Sequence, residues 1–161
     1  MSFKNLLISF LSGLIVFFAL LPETFAAAKL TRGQTVYVPA YSHVLFGDKA
    51  NSFNLAVTLI VRSTDLKNPI TITEINYFDS EGKLVKKFSG EPVKLNPLAS
   101  TTIFVPEKDV SGGIGANFIV KWKSENKVNA PVIEALMIGT MSGQGISFVS
   151  PGIEIDEGSH P

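Results

Sequence analysis

Short segments of alternating apolar and polar residues run through this chain, and turn residues separate them at regular intervals. The alternation is cleanest in Phe53–Arg62, where every second side chain is apolar while Asn54, Thr58 and Arg62 fall on the opposite face. A period of two is the period of a β-strand. This segment is therefore predicted to be a half-buried central strand. Because no helical periodicity and no internal repeat occurs outside the N-terminal segment, the pattern predicts an antiparallel, all-β fold.

The same criteria predict the other strands. They are Gln34–Leu45, Ile70–Phe78, Lys83–Phe88, Ser100–Val105, Ala116–Lys123 and Pro131–Thr140, followed by a terminal extension at Gly145–Val149 and Ile153–Ile155. Pro39 has no N–H for a ladder, so the first of these strands is predicted to lie at an edge or to carry a bulge. Lysines make 83–88 a second predicted edge strand. The spacing of the strands is typical of an immunoglobulin-like β-sandwich of about seven strands.

Composition restricts the possible classes of function. Hydrophobic residues make up 45% of the chain and charged residues 17%, which is enough apolar material for a core. Fourteen Lys and Arg balance fourteen Asp and Glu, so no basic surface for nucleic acid is expected. There is no cysteine, which excludes a disulfide framework, a thiol nucleophile, a cysteine zinc site and a lipid anchor on cysteine.

Residues 1–28 have the pattern of a secretory signal peptide. Lys4 provides a positive charge, Leu6–Leu21 is an apolar run, and Pro22 stops any helix before the small residues of 24–28. Because the apolar run is short for a bilayer span, a cleaved signal is predicted, with an uncleaved N-terminal anchor as the alternative.

Cleavage of such a signal would leave a mature protein outside the cytoplasm. The predicted domain division is 1–28 as signal, 29–155 as the β-sandwich and 156–161 as a flexible tail. The predicted location is periplasmic or secreted. The membrane would be involved only through an uncleaved first segment.

Successive antiparallel strands carry the chain from one end of a sandwich to the other. With seven strands, the loops after the first, third, fifth and seventh share one end. These loops contain His43 and Asp48, the turn 79–82, the glycine-rich turn Asp109–Gly115 and the segment Thr140–Gly145. Binding residues concentrate on loops held by a rigid scaffold, so this end is the predicted binding site for a small ligand or an envelope protein. Its candidate residues are Tyr41, His43, Asp109, Ser111, Gly112, Gly113, Gly115, Asn117 and Gln144.

The glycine-rich turn has two interpretations. Its N–H groups could bind an anion, as glycine nests do. A phosphate loop, however, lies between a strand and a helix and is followed by Lys-Ser/Thr, whereas this turn enters a strand. The second interpretation is a structural corner in which glycine supplies positive φ angles and Asp109 or Asn117 caps the turn. The pattern favours the corner.

Two chemical alternatives centre on His43. Met137 and Met141 share one face of a strand and, with His43, could form a copper(I) site, although methionine at this spacing more often packs in a core. A hydrolase could combine His43 and Asp109 with Ser111 or Ser142, but the G-x-S-x-G elbow is absent. No catalytic residue, metal ligand or cofactor is therefore assigned.

Three segments resemble a known family. They are VYVPAYSH (36–43), GGIGANFIVKW (112–122) and EALMIGTMSGQGISF (134–148), and they resemble the bacterial exported proteins of domain-of-unknown-function family 3124. The likeness covers nearly all of the chain after the N-terminal segment. It implies a bacterial cell-envelope or secreted setting, and it implies no activity, cofactor or catalytic residue. Together with the residues themselves, it predicts a non-catalytic binding or interaction module.

Overall fold

A computed structural model describes residues 30–88, 90–141 and 143–156. The predicted signal peptide, His160 and most of the predicted tail therefore lie outside the described residues. The described residues form only strands and turns, and no helix among them is long and apolar enough to cross a membrane. The strands are β1 (Leu30–Pro39), β2 (His43–Phe46), β3 (Asn51–Asn54), β4 (Ala56–Arg62), β5 (Ile70–Phe78), β6 (Leu84–Lys87), β7 (Val93–Leu95), β8 (Ser100–Val105), β9 (Asn117–Asn129), β10 (Val132–Met141), β11 (Gln144–Pro151) and β12 (Ile153–Ile155).

These strands form two antiparallel sheets and a separate hairpin. The first sheet has the order β12-β1-β9-β5-β6, and β7 pairs with the other half of β5. The second sheet has the order β11-β10-β4-β8, and β2 pairs only with β3. All the pairings within the described residues are antiparallel, which confirms the predicted all-β, antiparallel class.

One face of each sheet packs against the other sheet in a common core. Alternation determines which side chains are buried: Val57, Leu59 and Val61 point inward from β4, and Phe118, Val120 and Trp122 point inward from β9. Both sets were expected from the sequence, and β4 is a central strand, between β10 and β8. The fully buried side chains make the two sheets one body, because each alone would leave an apolar face in water.

The edge position predicted from Pro39 was wrong, although β1 does carry a register shift, between Thr31 and Gly33. Its strand, β1, is central, because β9 pairs with one side of it and β12 with the other. Pro39 is the last residue of this strand and lies opposite Asn117. The next pair, Ala40 and Ala116, is hydrogen-bonded, so the nitrogen of Pro39 points away from β9. On that side β12 pairs only as far as Tyr37, and the missing N–H therefore costs no ladder bond.

Several boundaries also differ from the prediction. The predicted strand 34–45 is two strands, β1 and β2, and the predicted strand 53–62 is interrupted at Leu55. β7 lies in a stretch where no strand was predicted, and β9 continues beyond the predicted end to Asn129. A three-residue strand is too short to show a period of two, and the second half of β9 is too polar to show one, so neither could be recognised locally.

The chain passes from one sheet to the other at Gly152. Its N–H donates to the carbonyl of Ile133 at 2.8 Å, which ends the pairing with β10, and β12 then pairs with β1. A Cβ at this position would lie 2.6 Å from Val36 Cγ1 and 2.8 Å from the Ile133 oxygen. Only glycine allows this close approach, and the crossing links the two sheets along one side of the molecule.

Candidate functional site

The ends of three strands of the first sheet meet at Asn117. This residue begins β9 and pairs with Pro39, which ends β1, and with Phe78, which ends β5. The loops attached to these ends therefore lie together, as the order of the predicted strands required. β10 also contacts β3, which brings the β10–β11 hairpin to the same end. The name glycine pole is used below for residues 40–54, 79–82 and 106–116 with the hairpin tip at Gly143 and Gln144.

Backbone hydrogen bonds fix the loops of the glycine pole to one another. The Ser42 N–H donates to the carbonyl of Gly113 at 3.0 Å, and the Ala40 N–H donates to that of Ala116 at 2.8 Å. The carbonyl of Ser42 in turn accepts from the Leu55 N–H at 2.8 Å. The bond to Leu55 closes the base of the β2–β3 hairpin, and the bond to Gly113 fixes that base to the glycine-rich turn.

Ser80 joins the 79–82 turn to the glycine-rich turn. Its Oγ donates to the carbonyl of Gly112 at 3.2 Å and accepts from the Gly115 N–H at 3.0 Å. Asp79 orders the turn itself, because its Oδ1 accepts from the N–H of Lys83 at 2.8 Å. Sequence reasoning did not find Ser80. Its position after Asp79 in a tight turn was visible, but the 32 residues that separate it from Gly112 hid the contact.

A buried phenol lies beneath the glycine-rich turn. Tyr77 Oη is 3.1 Å from Ser42 Oγ, and the Tyr77 ring packs against Phe118 with centroids 4.7 Å apart. Burial raises the pKa of the Tyr77 phenol above its ordinary value; the Ser42 hydrogen bond opposes this shift and the negative charge of Asp109 adds to it. A Cβ at Gly112 would lie 2.0 Å from Tyr77 Oη, so the backbone of the turn rests directly on the phenol.

The glycine-rich turn uses several of its own N–H groups. Asp109 Oδ1 accepts from the Ser111 N–H at 3.1 Å and also from the Ser111 hydroxyl. The Gly113 N–H donates to the carbonyl of Val110 at 3.1 Å, and that of Gly115 is bonded to Ser80. An anion-binding nest requires free N–H groups pointing at the ligand. The geometry therefore favours the structural corner, with Asp109 as its cap.

The remaining candidate residues lie around this corner. Tyr41 is half-buried, and its ring meets that of Phe148 edge-on with centroids 5.6 Å apart. His43 begins β2 opposite Asn54, and Gln144 begins β11, where it is exposed. The structure thus brings the predicted residues to one end of the molecule, some in turns and some at the first position of a strand.

The residues considered for chemistry are distributed differently. Met137 is fully buried in the core, whereas Ser142 and the side chain of Met141 lie outside the described residues. Within the described part of the chain, no group of three or more His, Cys, Asp or Glu residues could hold a metal ion. The hydroxyl of Ser111 donates to Asp109, and the main chain of His43 is paired in the hairpin. The copper and hydrolase alternatives stay predictions.

Exposed apolar side chains are the most distinctive surface feature of the glycine pole. Leu45 and Phe46 are exposed on β2, and Val110 and Ile114 are exposed on the loop that enters β9. Phe46 also packs edge-on against Phe53 across the hairpin, with centroids 6.1 Å apart. Ile114 lies within the glycine-rich turn that the sequence indicated, but the other three were missed, because the sequence does not reveal which apolar side chains lack a covering sheet.

A small pocket lies away from the glycine pole, beside the first residues of β5. Its volume is about 110 Å³, and its lining includes Thr71, Lys94, Ser124 and Glu125. Pockets for drug-sized ligands enclose about 300–1,000 Å³. This pocket has room for water or a small ion, not for such a ligand.

The fold and the glycine pole define an all-β protein of two antiparallel sheets with an ordered loop surface at one end. Its sequence matches the model of DUF3124, proteins of unknown function, over residues 33–155, and the chain belongs to this family. No curated protein matches it.

Two solved structures are similar in part. One is Thermotoga maritima 1070, at 12% identity and a TM-score of 0.45; the similarity covers 78% of this chain and 97% of that chain. The other is FlgD from P. aeruginosa, at 15% identity and a TM-score of 0.23; the similarity covers 76% of this chain and 75% of that chain.

Proposed function

We propose that this chain is a non-catalytic binding module of the bacterial cell envelope, which holds a protein partner at the glycine pole. The proposal includes export by the 1–28 segment and an immunoglobulin-like arrangement of the strands. The observation that supports it is the set of exposed apolar side chains on loops that are fixed by hydrogen bonds.

Exposure and rigidity together favour a binding role for these loops. Leu45, Phe46, Val110 and Ile114 are exposed to water, which has a free-energy cost that a bound partner would remove. The hydrogen bonds of Ser42 and Ser80 hold the loops in place before binding. A partner would therefore lose little free energy to ordering them.

The chemistry of the surface favours an apolar segment of a protein as the partner. The glycine pole is net acidic, so an anionic partner is disfavoured; its acidic residues Asp48, Asp79, Glu81, Glu107 and Asp109 outnumber Lys49 and Lys108. Its exposed aliphatic and aromatic side chains suit an apolar partner. Such side chains form the buried centre of protein–protein interfaces.

The proposal is tested by site-specific photo-cross-linking in cells that express the full chain. A photoreactive amino acid replaces Ile114 in one strain and Leu66 in another. Both residues are exposed, but Leu66 lies in the loop between β4 and β5, at the opposite end of the sheets. A discrete cross-linked protein is expected with the probe at 114 and not at 66.

The strain with the probe at 114 then carries Phe46→Ser. Loss of the discrete product in the Phe46→Ser background, with unchanged thermal stability, supports the glycine pole as the binding surface. Equal labelling at 66 and 114, or a product that persists when both Phe46 and Val110 are serine, rules it out.

A further inference from the structure

We propose that β8 pairs with β8 of a second copy of this chain, which joins the two four-stranded sheets into one across a two-fold axis at Thr102. This surface is the side of the molecule and is separate from the glycine pole. Its partner is identified by the register of the strand, the composition of the edge and the position of one exposed aromatic side chain.

The register of β8 leaves three residues with backbone groups directed away from the sheet. The Ser63 N–H donates to the carbonyl of Ala99 at 2.9 Å, which makes this pair a hydrogen-bonded one. Hydrogen-bonded and non-hydrogen-bonded pairs alternate in an antiparallel ladder. In the ladder with β4, the N–H and C=O groups of Ser100, Thr102 and Phe104 therefore point outward. No described strand pairs with this side of β8.

This edge also lacks the lysines found in β6 and β7 at the edge of the first sheet. Lys86 and Lys87 lie in β6, and Lys94 lies in β7, at the edge of the first sheet. Lysine on an edge strand opposes pairing with another chain. β8 reads Ser-Thr-Thr-Ile-Phe-Val, without a charge or a proline. These residue types favour a strand. No charged side chain on this edge opposes pairing of its backbone N–H and C=O groups with another chain.

The three outward residues are complementary to themselves. If Thr102 lies opposite Thr102 of a second copy, then Ser100 of each copy lies opposite Phe104 of the other. The side chains of all three residues then lie on the same face of the joined sheet, as strand pairing requires. Each of the three pairs forms two hydrogen bonds, which gives six between the chains. A symmetric contact of this kind closes as a dimer.

An aromatic side chain near the end of β8 supports the same partner. Phe104 is 59% exposed in the single chain. In the symmetric pair, Phe104 of one copy lies opposite Ser100 of the other and diagonally across from Thr102. Diagonal neighbours lie within reach of aromatic side chains. Each copy therefore packs its exposed Phe104 against the other copy, one on either side of the axis.

The opposite edge of the same sheet is less suited to pairing. The bond from the Gly152 N–H to the Ile133 carbonyl sets its register, so Gly145, Ser147 and Val149 direct backbone groups away from β10. Pro151 has no N–H to donate, and the chain leaves this sheet at Gly152. Ser147 is nevertheless exposed, carries a hydroxyl and occupies an edge strand, which makes it a matched control for Thr102.

The test uses the full chain, which has no cysteine of its own. In a hydrogen-bonded pair the two Cα atoms are about 5.5 Å apart, within the range that a disulfide spans. Thr102→Cys is expected to form a disulfide-linked dimer under mild oxidation, and Ser147→Cys is expected to stay monomeric. A monomeric Thr102→Cys overturns the proposal. So does equal cross-linking of both variants, or a dimer formed only when the two variants are mixed, because the latter requires β8 to pair with β11.

A charge exchange provides a second, independent measurement. Thr102→Lys and Thr102→Glu each place like charges opposite one another, so each variant alone is expected to sediment at the monomer mass. An equimolar mixture places Lys opposite Glu and is expected to sediment at the dimer mass. A mixture that stays monomeric, while the unaltered chain is a dimer, also overturns the Thr102 axis. A monomeric unaltered chain at every accessible concentration does the same.

Discussion

The Tyr77 phenol makes the fold less stable at alkaline pH. Its hydroxyl is buried against Ser42 Oγ, and burial holds its pKa above the ordinary value of 10.0. Between the pKa of the unfolded chain and that of the folded chain, only the unfolded state loses the proton. The stabilisation is therefore complete below about pH 10 and decreases as the pH rises through the folded pKa.

Replacement of Tyr77 by phenylalanine separates the two roles of the hydroxyl. At neutral pH, Tyr77→Phe leaves the buried Ser42 hydroxyl without this partner and should lower the free energy of unfolding by about 1–3 kcal/mol. Above about pH 10 the variant should lose less stability than the wild type, because it has no phenol to ionise. The measurement is the melting temperature from pH 8 to 11.

Ser42→Ala is the control: it removes the hydrogen bond but keeps the phenol, and it should still lose stability at alkaline pH. An identical alkaline loss in Tyr77→Phe would contradict this account.

The glycine at position 112 is required by what lies under it. Gly112→Ala would place Cβ 2.0 Å from Tyr77 Oη and 2.6 Å from Ala116 Cβ, so the turn must shift. Overpacking of this kind costs about 1–3 kcal/mol, which is measurable by denaturant unfolding. Gly90→Ala, with nothing within 4 Å of the new Cβ, should change stability by less than about 0.5 kcal/mol. The double variant Gly112→Ala/Tyr77→Phe should recover part of the loss. Equal effects at 90 and 112 would show that contact is not the cause.

At the scale of the elements, the crossing at Gly152 decides whether the last strand can reach the first sheet. β12 has only three residues and depends on the chain passing from one sheet to the other at Gly152. The crossing brings the backbone against Val36 and against the carbonyl of Ile133. One side of the sandwich-like fold is thus closed by main-chain continuity, whereas the other ends at β8 in one sheet and at β6 and β7 in the other.

A methyl group at this crossing should loosen β12 selectively. Gly152→Ala would place Cβ 2.8 Å from a backbone oxygen that cannot move independently of β10. Amide hydrogen exchange of β12 and of its β1 partners is expected to accelerate, while β4 and β5 keep their protection. Gly145→Ala, in β11 with its nearest contact at 3.8 Å, is the control and should leave β12 unchanged. Unaltered exchange in β12 of the Gly152→Ala variant would show that the crossing tolerates a side chain.

At the scale of the whole molecule, the local sequence pattern predicted where strands lie better than it predicted which strands pair with each other. The bounds of β5 and β8 were found from composition and turn residues alone, because both strands are regular and end at Asn-Pro, Pro or Asp. Pro39 was misread, since a proline at the end of a strand and one at a sheet edge have the same local appearance. The pairing of β1 with β12 was not predicted, because hydrogen bonds between distant strands leave no local signature.

The candidate site was predictable to a similar degree. Alternation of strand direction was enough to place the loops of Asp79 and Asp109 at one end. What those loops do there depends on contacts between residues far apart in sequence, such as the one between Ser80 and Gly112. For this reason the sequence identified the glycines as notable but left their role open, and the buried phenol beneath them was missed.

The central position of β1 also determines when the protein can finish folding. Thr35 of β1 pairs with Ile155, which is synthesised 120 residues later (155 − 35), and its other partner, β9, begins only at Asn117. At about 5–20 residues per second, the first strand waits on the order of 6–24 s for its last partner. Until β9 has been made, β1 has no neighbouring strand among the described residues of its sheet. A ribosome that pauses before residue 155 therefore holds a chain that cannot yet complete its fold.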